Sequence, residues 1–126
     1  MTLQNILIVD DEPDLRETLR DIFELSGYSV ATASNGNEAL DLIEQGQLPC
    51  LLLLDLMMPV MNGWEFLGKL SQDKPHAFDD VPIVVISAIA DTLDIAKNYR
   101  CEVMKKPLDI PHLLQLAGRH CSVRPS

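Results

Sequence analysis
Cys50-Leu51-Leu52-Leu53-Leu54-Asp55-Leu56-Met57-Met58-Pro59 is the stretch on which the fold turns. An unbroken apolar run meets one carboxylate, and a proline then ends the extended segment. A run this apolar reads as a strand buried on both faces, the habit of central strands in parallel sheets. Asp55 then stands where the strand leaves the sheet. In open α/β sheets the carboxyl ends of the strands are where ligands bind.

The flanking sequence repeats the theme. Asn5-Ile6-Leu7-Ile8-Val9-Asp10-Asp11 is another apolar run ending in carboxylates, and Pro13 suits the first turn of a following helix. Leu15, Leu19, Ile22 and Phe23 recur at helical spacing, with Gly27 at the end. Tyr28 to Ala33 reads as a mixed strand. Asn35 and Glu38 have capping-box spacing ahead of the stripe Ala39, Leu42, Ile43, and Gly46 closes that helix. Asn62 and Glu65 repeat the spacing before Phe66, Leu67 and Leu70. Ser71 to Asp80 is polar and reads as a loop. Pro82 opens Ile83-Val84-Val85-Ile86, which ends in Ser87. A short helix over Asp91 to Asn98, a mixed strand from Cys101 to Met104 and a last helix marked by Ile110, Pro111, Leu113, Leu114 and Ala117 complete the pass.

Strands and helices thus alternate five times, which predicts parallel βαβ units with right-handed crossovers. Three strands are apolar throughout and two are mixed. The doubly wound order 2-1-3-4-5 puts the apolar three inside, so the expected fold is a flavodoxin-like α/β (βα)5 domain. Residues 1–121 form that domain, with 122–126 as a carboxyl-terminal tail.

Composition bounds the function. The 126 residues carry a net charge of −9, which disfavours nucleic-acid backbones and anionic membranes and suits a basic partner surface or a site that gathers cations. No apolar run approaches the roughly 20 residues that span a bilayer. Met1 to Asn5 lacks the basic region and cleavage site of a signal peptide, so the expectation is a cytoplasmic protein. Cys50, Cys101 and Cys121 match no metal spacing and are expected as small core residues or free thiols. His76, His112 and His120 match no ligand spacing either.

The predicted topology sets Asp10 and Asp11 beside Asp55 at the switch point. Three carboxylates in one crevice repel unless a cation joins them, and an all-oxygen donor set suits Mg2+. Ser87 and Lys106, at the ends of strands four and five, face the same crevice. A hydroxyl and an ammonium opposite a metal match what a phosphoryl group's oxygens require, and one carboxylate can serve as nucleophile. Taken singly, each residue also has a plain role as a turn, cap or surface residue. Five of them at the same ends of four strands make a constellation.

Asp10-Asp11-Glu12-Pro13, Asp55-Leu56-Met57-Met58-Pro59-Val60-Met61-Asn62-Gly63, Ser87-Ala88 and Lys106-Pro107 together resemble the signature of response-regulator receiver domains, here of the single-domain chemotaxis type. The resemblance covers essentially the whole chain. It implies two-component or phosphorelay signalling, with Asp55 as phosphoacceptor and a sensor histidine kinase or histidine phosphotransfer protein as donor. It implies that Asp10, Asp11 and Asp55 hold Mg2+ with the Met57 carbonyl, Asp11 more directly than Asp10. Lys106 neutralises phosphoryl oxygens, Ser87 is the switch hydroxyl, the Ala88 N–H contacts the phosphoryl group, and the Lys106–Pro107 bond is cis. Such a domain catalyses only its own phosphotransfer and autodephosphorylation, acts through an unidentified protein target, binds no nucleic acid or membrane directly, and is a monomer or weak dimer.

Two departures stand out. Val103 occupies the position where receivers usually carry Tyr or Phe, and Tyr99 is too far along to replace it. Ser87 to Lys106 is about three residues short, and the usual Gly-Ala pair before strand five is missing, so the preceding helix is expected to be short or irregular. The rival readings are an interaction module on the same fold that works without phosphorylation, and a small Mg2+-dependent phosphatase with an aspartyl nucleophile. Met57 stands where such phosphatases commonly place a second Asp.

Overall fold
The computed structural model describes residues 5–45, 49–55, 63–73, 81–87 and 101–121. They form strands β1 (Asn5–Val9), β2 (Ser29–Ala33), β3 (Leu51–Asp55), β4 (Ile83–Ser87) and β5 (Cys101–Lys105), and helices α1 (Pro13–Leu25), α2 (Gly36–Glu44), α3 (Gly63–Asp73) and α4 (Ile110–His120). The strands make one sheet in the order β2-β1-β3-β4-β5. Every pairing is parallel, with Val9 opposite Leu54, Asp55 opposite Ile86 and Ser87 opposite Lys105. The predicted order therefore holds. The helix expected over Asp91 to Asn98, the helix stop at Gly46, the helix cap at Asn62 and the tail from Ser122 lie outside the described residues.

Successive strand residues point to opposite faces, and both faces are covered. Leu7, Val9, Leu52, Leu54, Ile83 and Val85 pack with Ala39, Leu40 and Ile43 of α2 and Phe66, Leu67 and Leu70 of α3. Ile6, Ile8, Leu51, Leu53, Val84 and Ile86 pack with Leu19 and Phe23 of α1 and Leu113, Leu116 and Ala117 of α4. This is why β1, β3 and β4 are apolar at every position but one end residue each (Asn5, Asp55 and Ser87) while β2 and β5, at the sheet's edges, are mixed.

Local chemistry sets the ends of the helices. Pro13 occupies the first turn of α1, and Gly27, with φ of 99°, supplies the left-handed residue after it. The Asn35 side chain accepts the Glu38 N–H at 3.0 Å. Glu38 reaches back one residue further than the expected box: its carboxylate accepts the Ser34 N–H at 3.1 Å and the Ser34 hydroxyl at 2.6 Å. These two bonds, the hydroxyl first, hold the Glu38 carboxyl below its ordinary value. Asp109 caps α4 by accepting the His112 N–H at 3.1 Å, and Pro111 sits in its first turn.

Two expectations are corrected. The loop expected from Ser71 begins later, because α3 continues to Asp73. Polar residues alone do not stop a helix, and Gln72 is exposed on its outer side. The cysteines are not all small core residues or free thiols. Cys50 and Cys121 form a disulfide across 71 residues, with Cα atoms 5.3 Å apart. Spacing could not reveal this, since the parallel fold alone brings the start of β3 and the end of α4 to the same end of the sheet. Cys101 is not part of it, and burial raises its thiol pKa to about 11.

Leu53 is fully buried in the central strand. Leu53→Ala should lower the free energy of unfolding by about 3 kcal/mol, read as a fall in the urea midpoint with an unchanged slope.

Candidate phosphoryl and cation site
The site stands at the carboxyl end of the sheet, where β1 and β3 lie side by side while their helices pass to different faces. Asp10 follows the last residue of β1. Its N–H donates to the Ala33 carbonyl at 3.1 Å, which extends the hold of β2 by one residue. Its carboxylate is turned inward and buried, at 1 % exposure. Oδ1 accepts the Glu12 N–H at 2.8 Å. Oδ2 is buried and has no hydrogen-bond partner among the described residues. Asp11 is exposed, and Asp55, the last residue of β3, is 4 % exposed. One carboxylate oxygen from each of Asp10, Asp11 and Asp55 lies within 4.8 Å of the other two.

This convergence is electrostatically costly. Burial, the largest cause, pushes the Asp10 carboxyl up from 3.8 to about 6. The Glu12 N–H acts against burial, the charge of Asp55 acts with it, Lys106 opposes, and Asp11 adds to the rise. Lys106 is half-buried one residue beyond β5, whereas Lys105, at the end of the strand, is exposed. The Lys106–Pro107 bond is cis, as the resemblance implied.

The structure thus brings Asp10, Asp11 and Asp55 together, with Lys106 near enough to act on Asp10. Ser87 ends β4 beside Lys105 in register, and only its backbone is described. Met57 and Ala88 lie outside the described residues. Val103 pairs with Val85 and packs against the core face that holds α2 and α3. His112 meets Glu102 at 2.7 Å on the surface, away from the carboxylates.

Sequence reasoning missed one residue. Arg16 donates from Nη1 to the Asp10 carbonyl at 2.7 Å and so holds the backbone that carries the acidic pair. A signal was available. A cation in the first turn of a helix is disfavoured by the helix dipole, so Arg16 needed a local reason.

An orphaned buried oxygen and an all-oxygen donor set fit a hard divalent cation. The comparisons with known proteins agree with this geometry. The model of the response regulator receiver domain matches residues 6–117. The chain is 36% identical over 124 residues to an uncharacterized 14.6 kDa protein of Leptolyngbya boryana, covering 96% of this chain and 92% of that one. It is 38% identical to response regulator Rre1 of Synechocystis, covering 95% of this chain and 52% of that protein. The chain therefore spans about half the length of Rre1, and about a third of the probable transcriptional regulators ycf27 that it also matches. Response regulator TrrA of Thermotoga maritima, solved in complex with Mg(2+)-BeF, superposes with a TM-score of 0.76 at 30% identity, covering 93% of this chain and 98% of that one. The chain belongs to the response-regulator receiver family, whose members are signalling modules of two-component systems.

The Asp10 carboxyl titrates higher in the folded chain than its ordinary 3.8. Below that pH both folded and unfolded forms are protonated and no penalty arises. Above about 6 both are ionised, and the full penalty, on the order of 3 kcal/mol, is present. Asp10→Asn keeps an oxygen to accept the Glu12 N–H and removes the charge. In metal-free buffer at pH 7 it should stabilise the chain by roughly 1–3 kcal/mol, and the gain should vanish at pH 3.5. Matched urea titrations at the two pH values measure both effects.

Proposed function
We propose that this chain is a phosphoacceptor receiver whose Asp55 is phosphorylated in a Mg2+-dependent reaction with a sensor histidine kinase or a histidine phosphotransfer protein. The observation that carries the reading is the convergence of three carboxylates, one of which, Asp10, keeps a buried Oδ2 with no hydrogen-bond partner among the described residues. Asp10, Asp11 and Asp55 would hold the Mg2+, with the Met57 carbonyl as a further ligand. Bound there, the ion draws negative charge off the incoming phosphoryl oxygens and off the acidic cluster itself.

The chain's own residues do the rest. The Asp55 carboxylate attacks phosphorus, an O–P bond forms, the P–N bond of the donor histidine breaks, and the imidazole leaves with the electron pair. The Lys106 ammonium stands against the developing negative charge. Arg16 and the Glu12 N–H keep the acidic loop in place throughout. The Ser87 hydroxyl and the Ala88 N–H then donate to the phosphoryl oxygens, which biases the loop after β4 toward one of two arrangements. Val103 is too small for an aromatic rotamer switch, so the signal rests on Ser87 and that loop.

The output is altered binding to another protein rather than turnover of an external substrate. The setting is cytoplasmic. Among the described residues no helix is long and apolar enough to cross a membrane. The net charge of −9 suits a basic docking surface on the partner and argues against direct contact with nucleic acid. The domain spans residues 1–121.

Incubation with a small acyl- or amidophosphate donor and Mg2+ should add one phosphate, seen by intact mass. Asp55→Asn should abolish the addition, and chelation of Mg2+ should suppress it by at least about a hundredfold, the scale of lost positioning and charge stabilisation. Lys106→Ala should preserve Mg2+ binding, read by isothermal titration calorimetry, while slowing incorporation. Phosphate that still appears on the Asp55→Asn chain would reject the assignment.

A further inference from the structure
One feature of this chain has no part in phosphoryl chemistry. Cys50 and Cys121 are bonded at the end of the sheet opposite the acidic cluster. Cys50 immediately precedes β3, whose other end carries Asp55. Cys121 is the residue just past α4, the helix that follows Lys106 and Pro107. The two elements that flank the site are thus joined at their far ends.

We propose that Cys50 and Cys121 are a reversible thiol–disulfide couple, a redox modification site that exchanges with a low-molecular-weight thiol of the glutathione class. Three observations carry this. The two members differ in access: Cys50 is 8 % exposed, and Cys121 is half-buried at a helix end. A groove of ≈ 210 Å³ opens at the same end of the sheet, where Leu51 and His120, the chain neighbours of the two cysteines, line it together with Cys101. The third cysteine reaches that groove from a different side, because Cys101 packs against the core face opposite the one that holds Cys50 and Cys121.

Access decides the direction of exchange. An external thiolate attacks the Cys121 sulfur, the protein S–S bond breaks, and Cys50 leaves as a thiolate that takes a proton from water. A second external thiolate attacks the external sulfur of the mixed disulfide and releases Cys121. The protein disulfide gains two electrons, and two external thiols become one external disulfide. Oxidation is the reverse, with that external disulfide as oxidant.

Reduction leaves α4 held along most of its length. Leu113, Leu116 and Ala117 stay buried, Asp109 still caps the first turn, and Glu102 still meets His112. What is released is the last turn and the constraint of a 71-residue span. That difference makes the couple a tether rather than a condition of folding. The reversible character rests on the cytoplasmic setting proposed above, where disulfides are transient.

The test uses the unphosphorylated chain, so its outcome is separate from that of the Asp55 experiment. Protein is equilibrated without oxygen across a series of reduced-to-oxidised glutathione ratios, quenched with acid, and alkylated in denaturant. Intact mass should show a passage from one alkylated thiol to three within the ratios found in cytosol. The thermal midpoint in the same buffers should fall by roughly 10 °C on reduction. Cys121→Ser and Cys50→Ala should each lock the lower midpoint across the whole series, and Cys101→Ser should keep the transition. A bond that stays closed at the most reducing ratio, one that never closes at the most oxidising, or a transition lost in Cys101→Ser would each overturn the proposal.

Discussion

Three carboxylates within 4.8 Å of one another, two of them almost fully buried, set the terms for this molecule. Like charges at that separation oppose folding unless the scaffold compels them together. The compulsion comes from the sheet. β1 and β3 are hydrogen-bonded neighbours, and each delivers its acid where the ladder stops. A one-residue slip of either strand would exchange its side chains between two differently packed core faces and would move its acid off the end of the ladder. The core on both sides of the sheet therefore holds the repulsion in place.

Fixing the acids also falls to the main chain. Asp10 is tied through its N–H to Ala33, through its carbonyl to Arg16 and through Oδ1 to the Glu12 N–H. Three of its bonding directions are thereby fixed, and the fourth, Oδ2, is left open. A group so placed is oriented before anything arrives, which lowers the entropy that a ligand must overcome. Lys106, half-buried just past the strand at the far edge of the sheet, sets its positive charge against the negative charge of the acids through its action on Asp10.

Much of this was legible in the sequence. The central strands announce themselves because a strand with helices on both faces must be apolar at every position, and Leu51 to Leu54 admits few other readings. Asp10 and Asp55 were legible because each directly follows or ends such a run, and Asp11 because it stands beside Asp10; Lys106, after a mixed strand, was legible through its place before Pro107 in the family signature. The Cys50–Cys121 bond was not, since nothing local joins a strand start to a helix end 71 residues away. The contact of Arg16 with a carbonyl showed only as a cation out of place in a first helical turn, because a backbone acceptor leaves no complementary residue to find. The end of α3 was misjudged because polar side chains on an outer helical face look like a loop. Glu38 kept its capping spacing yet bonded Ser34, since spacing fixes a helix start more firmly than the partner of each side chain.

Arg16 carries a further consequence. Its guanidinium is bonded to a peptide oxygen rather than to a carboxylate, so no acid in the cluster is neutralised by it. The chain thus keeps a fixed cation at the margin of its acidic crevice without discharging the crevice. Mobile cations from solution therefore meet carboxylates that the protein's own arginine has not engaged.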